Sequence, residues 1–131
     1  NTMNKIIYWI LRIIPAVIML QTLWFKFTAH PQSVKLFTIL GMEPWGRISI
    51  GIFELIASVL LLINRTVLPG ALLGAGLMCG AIFFHLTNPA IGIYFDGDPV
   101  LFIYAIATLL CCVVLVIIKR RQIPALLQLK F

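Results

Sequence analysis

The sequence predicts an all-α integral membrane protein folded as a bundle of four transmembrane helices. Of its 131 residues, 62% are hydrophobic and 11% are charged, whereas a soluble domain is roughly half apolar and a quarter charged. The mean hydropathy is +1.09. The apolar residues form four runs, each close to the ~20 residues that a spanning helix needs. A chain this short is one domain, so its apolar excess must face lipid.

Each span has recognisable ends. The first run occupies the position of a signal peptide, but its length, its internal Arg12 and the lack of an A-x-A cleavage site oppose that assignment. Trp45 and Gly46 extend the short second run toward the lipid–water boundary, where Trp is common. Asp98 and Pro99 supply an N-cap and a first-turn proline for the fourth span. The predicted spans are about 6–26, 46–63, 67–87 and 99–118.

The connections between spans differ in length. The first long connection contains Ser33 to Gly41, which predicts a short interfacial helix capped by Ser33. The second runs from Thr87 to Pro99. Asn64 to Thr66 form a tight turn on the opposite side, so both long connections share one end of the bundle.

The basic residues are distributed unevenly between the two ends. One end carries Lys5, Arg65, Lys119, Arg120, Arg121 and Lys130, and the other carries Lys26, Lys35 and Arg47 together with Glu43, Asp96 and Asp98. Because basic residues are retained in the cytoplasm, we expect both termini to be cytoplasmic and the long connections to lie outside.

The net charge of +6 raises the question of a nucleic-acid partner. The cations cluster at span ends, where they meet anionic head groups, and no basic face interleaved with aromatic residues is present. The sequence therefore predicts membrane lipid as a partner and no nucleic acid.

Ionisable residues inside the spans are candidates for function, because burying each costs roughly 2.5–3.5 kcal/mol on insertion scales. Glu54 lies about 12 Å into the second span, at 1.5 Å per residue, on a face that also carries Gly51 and Ser58. Arg12 and Lys26 are fourteen residues apart in the first span, nearly four whole turns, so they share a face.

The third and fourth spans add further polar residues. His85 and Asn88 lie near the outer end of the third span, and Tyr104 begins the most polar face of the fourth, which continues through Thr108 and Cys111. If the four faces converge, Glu54, Lys26, His85 and Asn88 surround a polar pocket in the outer half of the bundle, with Arg12 deeper.

Two interpretations of this group stay open. It forms an active or ligand site, or Arg12 or Lys26 simply neutralises Glu54 and holds the bundle together, as buried ion pairs do.

A metal site on His30 and His85 is disfavoured, since no further ligands accompany them. The cysteines lack the C-x-x-C spacing of thiol–disulfide carriers. Close helix packing is expected at the glycine pairs Gly70/Gly74 and Gly76/Gly80, inside the bundle rather than at a dimer seam.

Several segments are typical of one family. They are Arg12 followed by Lys26, Gly51-Ile-Phe-Glu54-Leu55 running into Leu60 to Thr66, Gly80-Ala-Ile-Phe-Phe-His85-Leu86, and Lys119 to Pro124. From about Lys5 to Pro124 the chain resembles the DoxX and DoxX-like small four-helix membrane proteins. It departs from their pattern at Ala16, Leu23 and Ser58, where glycines are usual.

The resemblance implies a multi-pass protein of the bacterial inner membrane. Some relatives are described as the membrane subunit of a thiosulfate:quinone oxidoreductase and others as partners in oxidoreductase complexes. The first hypothesis is a redox-associated subunit that binds a quinone in the outer half of the bundle. Glu54 would exchange a proton, His85 would relay it, Lys26 or Arg12 would stabilise negative charge, and Asn88 and Tyr104 would line the site.

The alternative is a non-catalytic membrane scaffold or assembly partner whose polar interior only specifies the fold. No side chain here supplies electrons, so the first hypothesis requires an oxidoreductase partner or the ligand itself to do so. The sequence leaves the oligomeric state open, including a homo-oligomer.

Overall fold

The computed structural model describes residues 2–122, without the side chains of Asp96 and Gln122. Helices make up 84% of this part of the chain, and it contains no strand. The all-α class is therefore confirmed. Predictions that concern Lys130 and the end of the tail at Pro124 lie outside the described residues.

Five α-helices and three short 3₁₀ turns follow one another. The turns are Asn64–Thr66, Phe95–Gly97 and Arg120–Gln122; the helices are α1 (Thr2–Phe27), α2 (Pro31–Ile39), α3 (Trp45–Leu62), α4 (Val67–Thr87) and α5 (Val100–Ile118). All but α2 are long and apolar enough to cross a membrane, with mean hydropathies from 1.7 to 3.1. Their bounds lie within one residue of the four predicted spans, except that α1 begins four residues earlier, at Thr2.

The caps of two helices differ from prediction. The helix α2 begins at Pro31, and its N-cap is His30 rather than Ser33. The His30 Nδ1 accepts a hydrogen bond from the Gln32 amide at 3.2 Å, and proline suits the first helical position because it has no N–H to satisfy. Pro99 is the N-cap of α5, while the Asp98 carboxylate accepts from the Val100 amide at 3.0 Å.

The four long helices pack around a square. α1 contacts α3 and α5, and α4 contacts the same two, so α1 and α4 lie diagonally opposite. Successive long helices run in opposite directions. Consequently α2 and the 88–99 loop share one end, here called the capped end. The Asn64–Thr66 turn and the first residues of α1 lie at the opposite end, here called the basic end.

The bundle has a small-residue interior and an apolar exterior. Ala57, Ala71 and Ser58 are fully buried, whereas Ile, Val, Leu and Phe residues are exposed along every long helix. Only 22–39% of the residues in the four span windows are buried. This distribution suits a chain whose surroundings are as apolar as its own side chains.

The two glycine pairs have different roles. A Cβ on Gly70 would lie 2.8 Å from the Leu61 amide nitrogen, and one on Gly74 would lie 2.9 Å from the Cys112 sulfur. These glycines allow α4 to approach α3 and the bundle centre. Gly76 and Gly80 are exposed with nothing within 4 Å of a Cβ, so the expectation of close packing at the second pair is wrong within this chain.

Candidate functional site

The capped end is closed by residues from outside the long helices. Phe37 of α2 is buried, and Ile91 and Phe95 of the 88–99 loop are buried beside the bundle. The Lys35 ammonium lies 5.5 Å from the centre of the Phe95 ring, which links α2 to that loop. Both connections therefore cover the space between the helix ends.

A cavity of about 240 Å³ lies beneath this cover. Its polar walls come from Thr22 and Lys26 of α1, Glu54 of α3, His85 of α4 and Tyr104 of α5, and apolar side chains make up most of the rest. It also reaches Gly76 and Gly80, which are exposed on the outer surface of α4. The cavity therefore opens sideways at a surface that a membrane would cover with lipid.

An ion pair forms one wall of the cavity. The Lys26 Nζ lies 2.9 Å from the Glu54 Oε1, and the two side chains are 13% and 4% exposed. The sequence left open which cation neutralises Glu54, and the structure assigns Lys26. Removing either partner would leave a charge in a largely apolar environment.

The two oxygens of Glu54 have different environments. Oε2 lies 3.1 Å from the Thr22 hydroxyl, which can donate to it. Oε1 is buried, and no donor within residues 2–122 reaches it in hydrogen-bond geometry, although the Lys26 charge is adjacent. Lys26 therefore compensates the charge at Oε1, and Thr22 supplies the hydrogen bond to Oε2.

His85 is held by the loop that follows its helix. Its Nδ1 lies 2.7 Å from the Gly92 carbonyl oxygen, and its ring meets the edge of Phe102 at a centroid distance of 5.6 Å. A carbonyl can only accept, so Nδ1 carries the proton. In the neutral ring Nε2 is then the acceptor nitrogen, and His85 lines the cavity.

The polar face of α5 is rotated from the predicted one. Tyr104 lines the cavity and Thr108 is fully buried, but Cys112 rather than Cys111 completes the buried stripe. Cys112 follows Thr108 by four residues and Cys111 follows it by three. A spacing of four is nearer to one helical turn, so Thr108 and Cys112 lie on the same face of α5.

Asn88 does not reach the predicted pocket. Its side-chain oxygen accepts from the Ala90 amide at 3.0 Å, and its carbonyl accepts from the Ile91 and Gly92 amides. Asn commonly bonds to the backbone two residues onward in this way. Asn88 thus builds the turn that ends α4 and brings Gly92 to His85.

Arg12 lies away from the cavity, which corrects its expected place deeper in the same pocket. Its Nε donates to the Leu61 carbonyl at 2.7 Å and its Nη1 to the Asn64 side chain at 3.0 Å. Both partners belong to the basic end of the bundle. Fourteen residues of helix separate Arg12 from Lys26 by roughly 21 Å, so a shared face does not give them a shared site.

Two features of the site were missed by the sequence interpretation. Thr22, four residues before Lys26 on the same helical face, contacts Glu54. Glu43 and Arg47 form an i,i+4 ion pair of 2.8 Å, and the Arg47 Nη1 also donates to the Lys26 carbonyl. The four-residue spacing of each pair was visible in the sequence, although Glu43 precedes α3. Through its bond to the Lys26 carbonyl, Arg47 joins the end of α1 to the start of α3.

Other candidate chemistries have little support in the described part of the chain. His30 caps α2 and contacts Phe25 rather than His85. Residues 2–122 contain no group of three His, Cys, Asp or Glu side chains arranged to hold a metal ion. All three cysteines are free thiols.

Four membrane-length helices enclosing a polar group near one end define a small helical membrane protein. The DoxX family model matches residues 7–87, which include Arg12, Lys26, Glu54 and His85. The chain belongs to the DoxX family. Neither curated proteins nor solved structures gave a match.

Proposed function

We propose that this DoxX-family membrane protein binds a quinone-type ligand in the cavity and exchanges protons with it, as a redox-associated membrane subunit. The observation that carries the proposal is the Lys26–Glu54 ion pair, buried in the wall of an otherwise apolar cavity. Ligand pockets combine apolar walls with a few polar groups that fix orientation. An intramembrane ion pair beside open space has that composition.

The polar groups match the chemistry of a quinone head. Its carbonyl oxygens accept hydrogen bonds, for which the Lys26 ammonium and the Tyr104 hydroxyl are suitable donors. Reduction to the quinol adds two electrons and two protons, one proton to each oxygen. Glu54 and His85 are the groups that exchange protons, and the Lys26 charge stabilises developing negative charge on oxygen. The electrons pass between the ligand and an oxidoreductase partner.

The shape of the cavity favours a head group with an apolar tail. Its volume of about 240 Å³ is below the roughly 300–1,000 Å³ of pockets that enclose a drug-sized molecule. It therefore accommodates a ring, and the tail must leave by the opening at Gly76 and Gly80. That opening meets lipid, where an isoprenoid tail is soluble.

Native mass spectrometry of the protein released from lipid nanodiscs tests the proposal. The nanodiscs contain a short-chain ubiquinone or menaquinone, and wild type is compared with Glu54→Gln. Glu43→Gln is the matched control, because Glu43 is also ion-paired at the capped end but does not line the cavity. A quinone adduct in wild type and Glu43→Gln, reduced at least tenfold in Glu54→Gln, supports the site.

The opposite result favours the alternative function. If no variant retains quinone and all retain the same co-purifying protein, the chain is a scaffold or assembly partner and the Lys26–Glu54 pair is structural. The same spectra report the number of subunits, so they also test for a homo-oligomer.

The proposal includes an orientation in the bacterial inner membrane with the basic end in the cytoplasm, because basic residues accumulate on that side. Single cysteines introduced at Lys35 and Arg65, in a chain lacking Cys79, Cys111 and Cys112, test it. An impermeant maleimide should label the Lys35 position in intact spheroplasts and the Arg65 position only after lysis.

A further inference from the structure

The basic end carries positive side chains and no acidic one. The four Asp and Glu residues of the 131-residue chain are Glu43, Glu54, Asp96 and Asp98, all in the capped half of the bundle or its loops. The described residues of the basic end include Lys5, Arg12, Arg65, Lys119, Arg120 and Arg121. The positive charge at this end therefore has no side-chain anion of its own.

One of these cations is buried. Arg12 is 1% exposed, and its guanidinium lies against the Trp9 ring at 3.8 Å from the ring centre. Two of its nitrogens donate to Leu61 and Asn64, but Nη2 is buried without a hydrogen-bond partner in the described part of the chain. Arg12 is therefore a buried cation with no side-chain counter-ion among residues 2–122.

A cleft lies beside this cation, between the start of α1 and the end of α5. Its volume is about 480 Å³, and Asn4, Lys5, Ile7, Tyr8, Ile118 and Lys119 line it. The Tyr8 ring connects the two features, because its centre lies 5.3 Å from the Arg12 guanidinium carbon and 5.1 Å from the Lys119 ammonium. The positive charges of Arg12 and Lys119 therefore both lie next to the Tyr8 ring.

The cleft is polar in one part and apolar in another. Lys5, Asn4 and Lys119 supply hydrogen-bond donors, and the exposed Ile7 and Ile118 continue the lipid-facing surfaces of α1 and α5. An occupant that satisfies both parts has an anionic, oxygen-rich head and an apolar chain. This combination is the chemistry of an anionic phospholipid at a membrane surface.

We propose that this cleft binds the phosphate head group of an anionic phospholipid, with its acyl chains along Ile7 and Ile118. Lys5 and Lys119 contact the phosphate, and Arg12 contributes its uncompensated charge from behind Tyr8. The site is at the opposite end of the bundle from the cavity and does not depend on the proposed quinone function.

Lipid competition measured by native mass spectrometry tests this site. The protein is released from mixed vesicles of phosphatidylglycerol and phosphatidylcholine with identical acyl chains. Wild type should retain phosphatidylglycerol in preference to phosphatidylcholine. Each basic residue near a charged surface contributes about 1 kcal/mol, so the double variant Lys5→Gln, Lys119→Gln should lose about 30-fold of this preference.

A charge-matched control separates a specific cleft from general attraction. Arg65→Gln combined with Arg121→Gln removes the same charge from the same end, but neither residue lines the cleft. This control should keep most of the preference. Equal losses in the two double variants, or no preference in wild type, would overturn the proposal.

A second arm distinguishes a lipid from a soluble anion. Adding 10 mM inorganic phosphate should not displace phosphatidylglycerol, because phosphate lacks the chains that contact Ile7 and Ile118. If phosphate displaces the lipid fully and binds in its absence, the cleft is a site for a soluble phosphate and the lipid assignment is wrong.

Discussion

Replacing Lys26 with Met is the perturbation that most directly examines the cavity wall. The change keeps much of the side-chain volume and removes the charge 2.9 Å from the Glu54 carboxylate. The carboxylate, whose side chain is 4% exposed, then lacks its counter-ion. Only the Thr22 hydroxyl remains to stabilise it.

The expected cost follows from this burial. Breaking a buried ion pair by removing one partner costs about 3–5 kcal/mol. Because the Thr22 hydroxyl still donates to the remaining carboxylate, a value at the lower end of this range, about 3 kcal/mol, is expected. Glu54→Gln should cost less, because Lys26 is the more exposed partner at 13% and can extend toward water.

Unfolding by SDS titration in mixed micelles measures these values. The single variants Lys26→Met and Glu54→Leu and the double variant that combines them form a double-mutant cycle. The double variant should lie within about 1.5 kcal/mol of wild type, because an apolar pair of similar volume replaces a buried ionic one at little net cost. The resulting coupling energy should be about 2–3 kcal/mol.

The Glu43–Arg47 pair provides a comparison in the same protein. Its Glu43 side chain is 20% exposed, so its coupling should be smaller, near the ~1 kcal/mol upper range of exposed pairs. The reasoning is refuted if Lys26→Met costs under about 1 kcal/mol. That outcome would mean that Glu54 is already neutral or reaches water, and the cavity would not be the desolvated site described above.

Three further predictions concern packing and the residues outside the cavity. Gly70→Ala should lower the free energy of unfolding by about 1–3 kcal/mol, because its Cβ would meet the α3 backbone. Gly76→Ala should be neutral or slightly stabilising in the same titration, because the space around its Cβ is open. Arg12→Lys should cost roughly 1–3 kcal/mol, because one ammonium nitrogen cannot occupy the two positions from which Nε and Nη1 donate to Leu61 and Asn64. An unchanged midpoint would contradict this. Asn88→Ala should cost about 1 kcal/mol or less of stability and leave quinone retention within twofold of wild type; complete loss of quinone would return Asn88 to the binding site.

Much of the candidate site could be anticipated from single helices. The cost of an ionisable residue in lipid singled out Glu54, Lys26 and His85, and the structure brings all three to one cavity. Tyr104 reaches it as well. Such residues are visible in a sequence because the surrounding run is so uniformly apolar.

Spacing along the sequence did not correctly predict which polar side chains contact each other. Arg12 and Lys26 share a face, yet they belong to opposite ends, because angular position repeats every turn while depth increases by 1.5 Å per residue. Asn88 follows His85 closely, yet it is used by its own turn. Neither outcome follows from spacing within one element.

The sequence by itself determined that this protein is an all-helical, four-span bundle with a strongly basic end. These properties depend on composition and on the length of each apolar run, which are local. Only the tertiary structure decided that Lys26 pairs with Glu54, that α2 and the 88–99 loop cover the cavity, and that Arg12 is buried at the basic end. These depend on the order, rotation and depth of neighbouring helices, which are set by packing contacts between residues far apart in the chain.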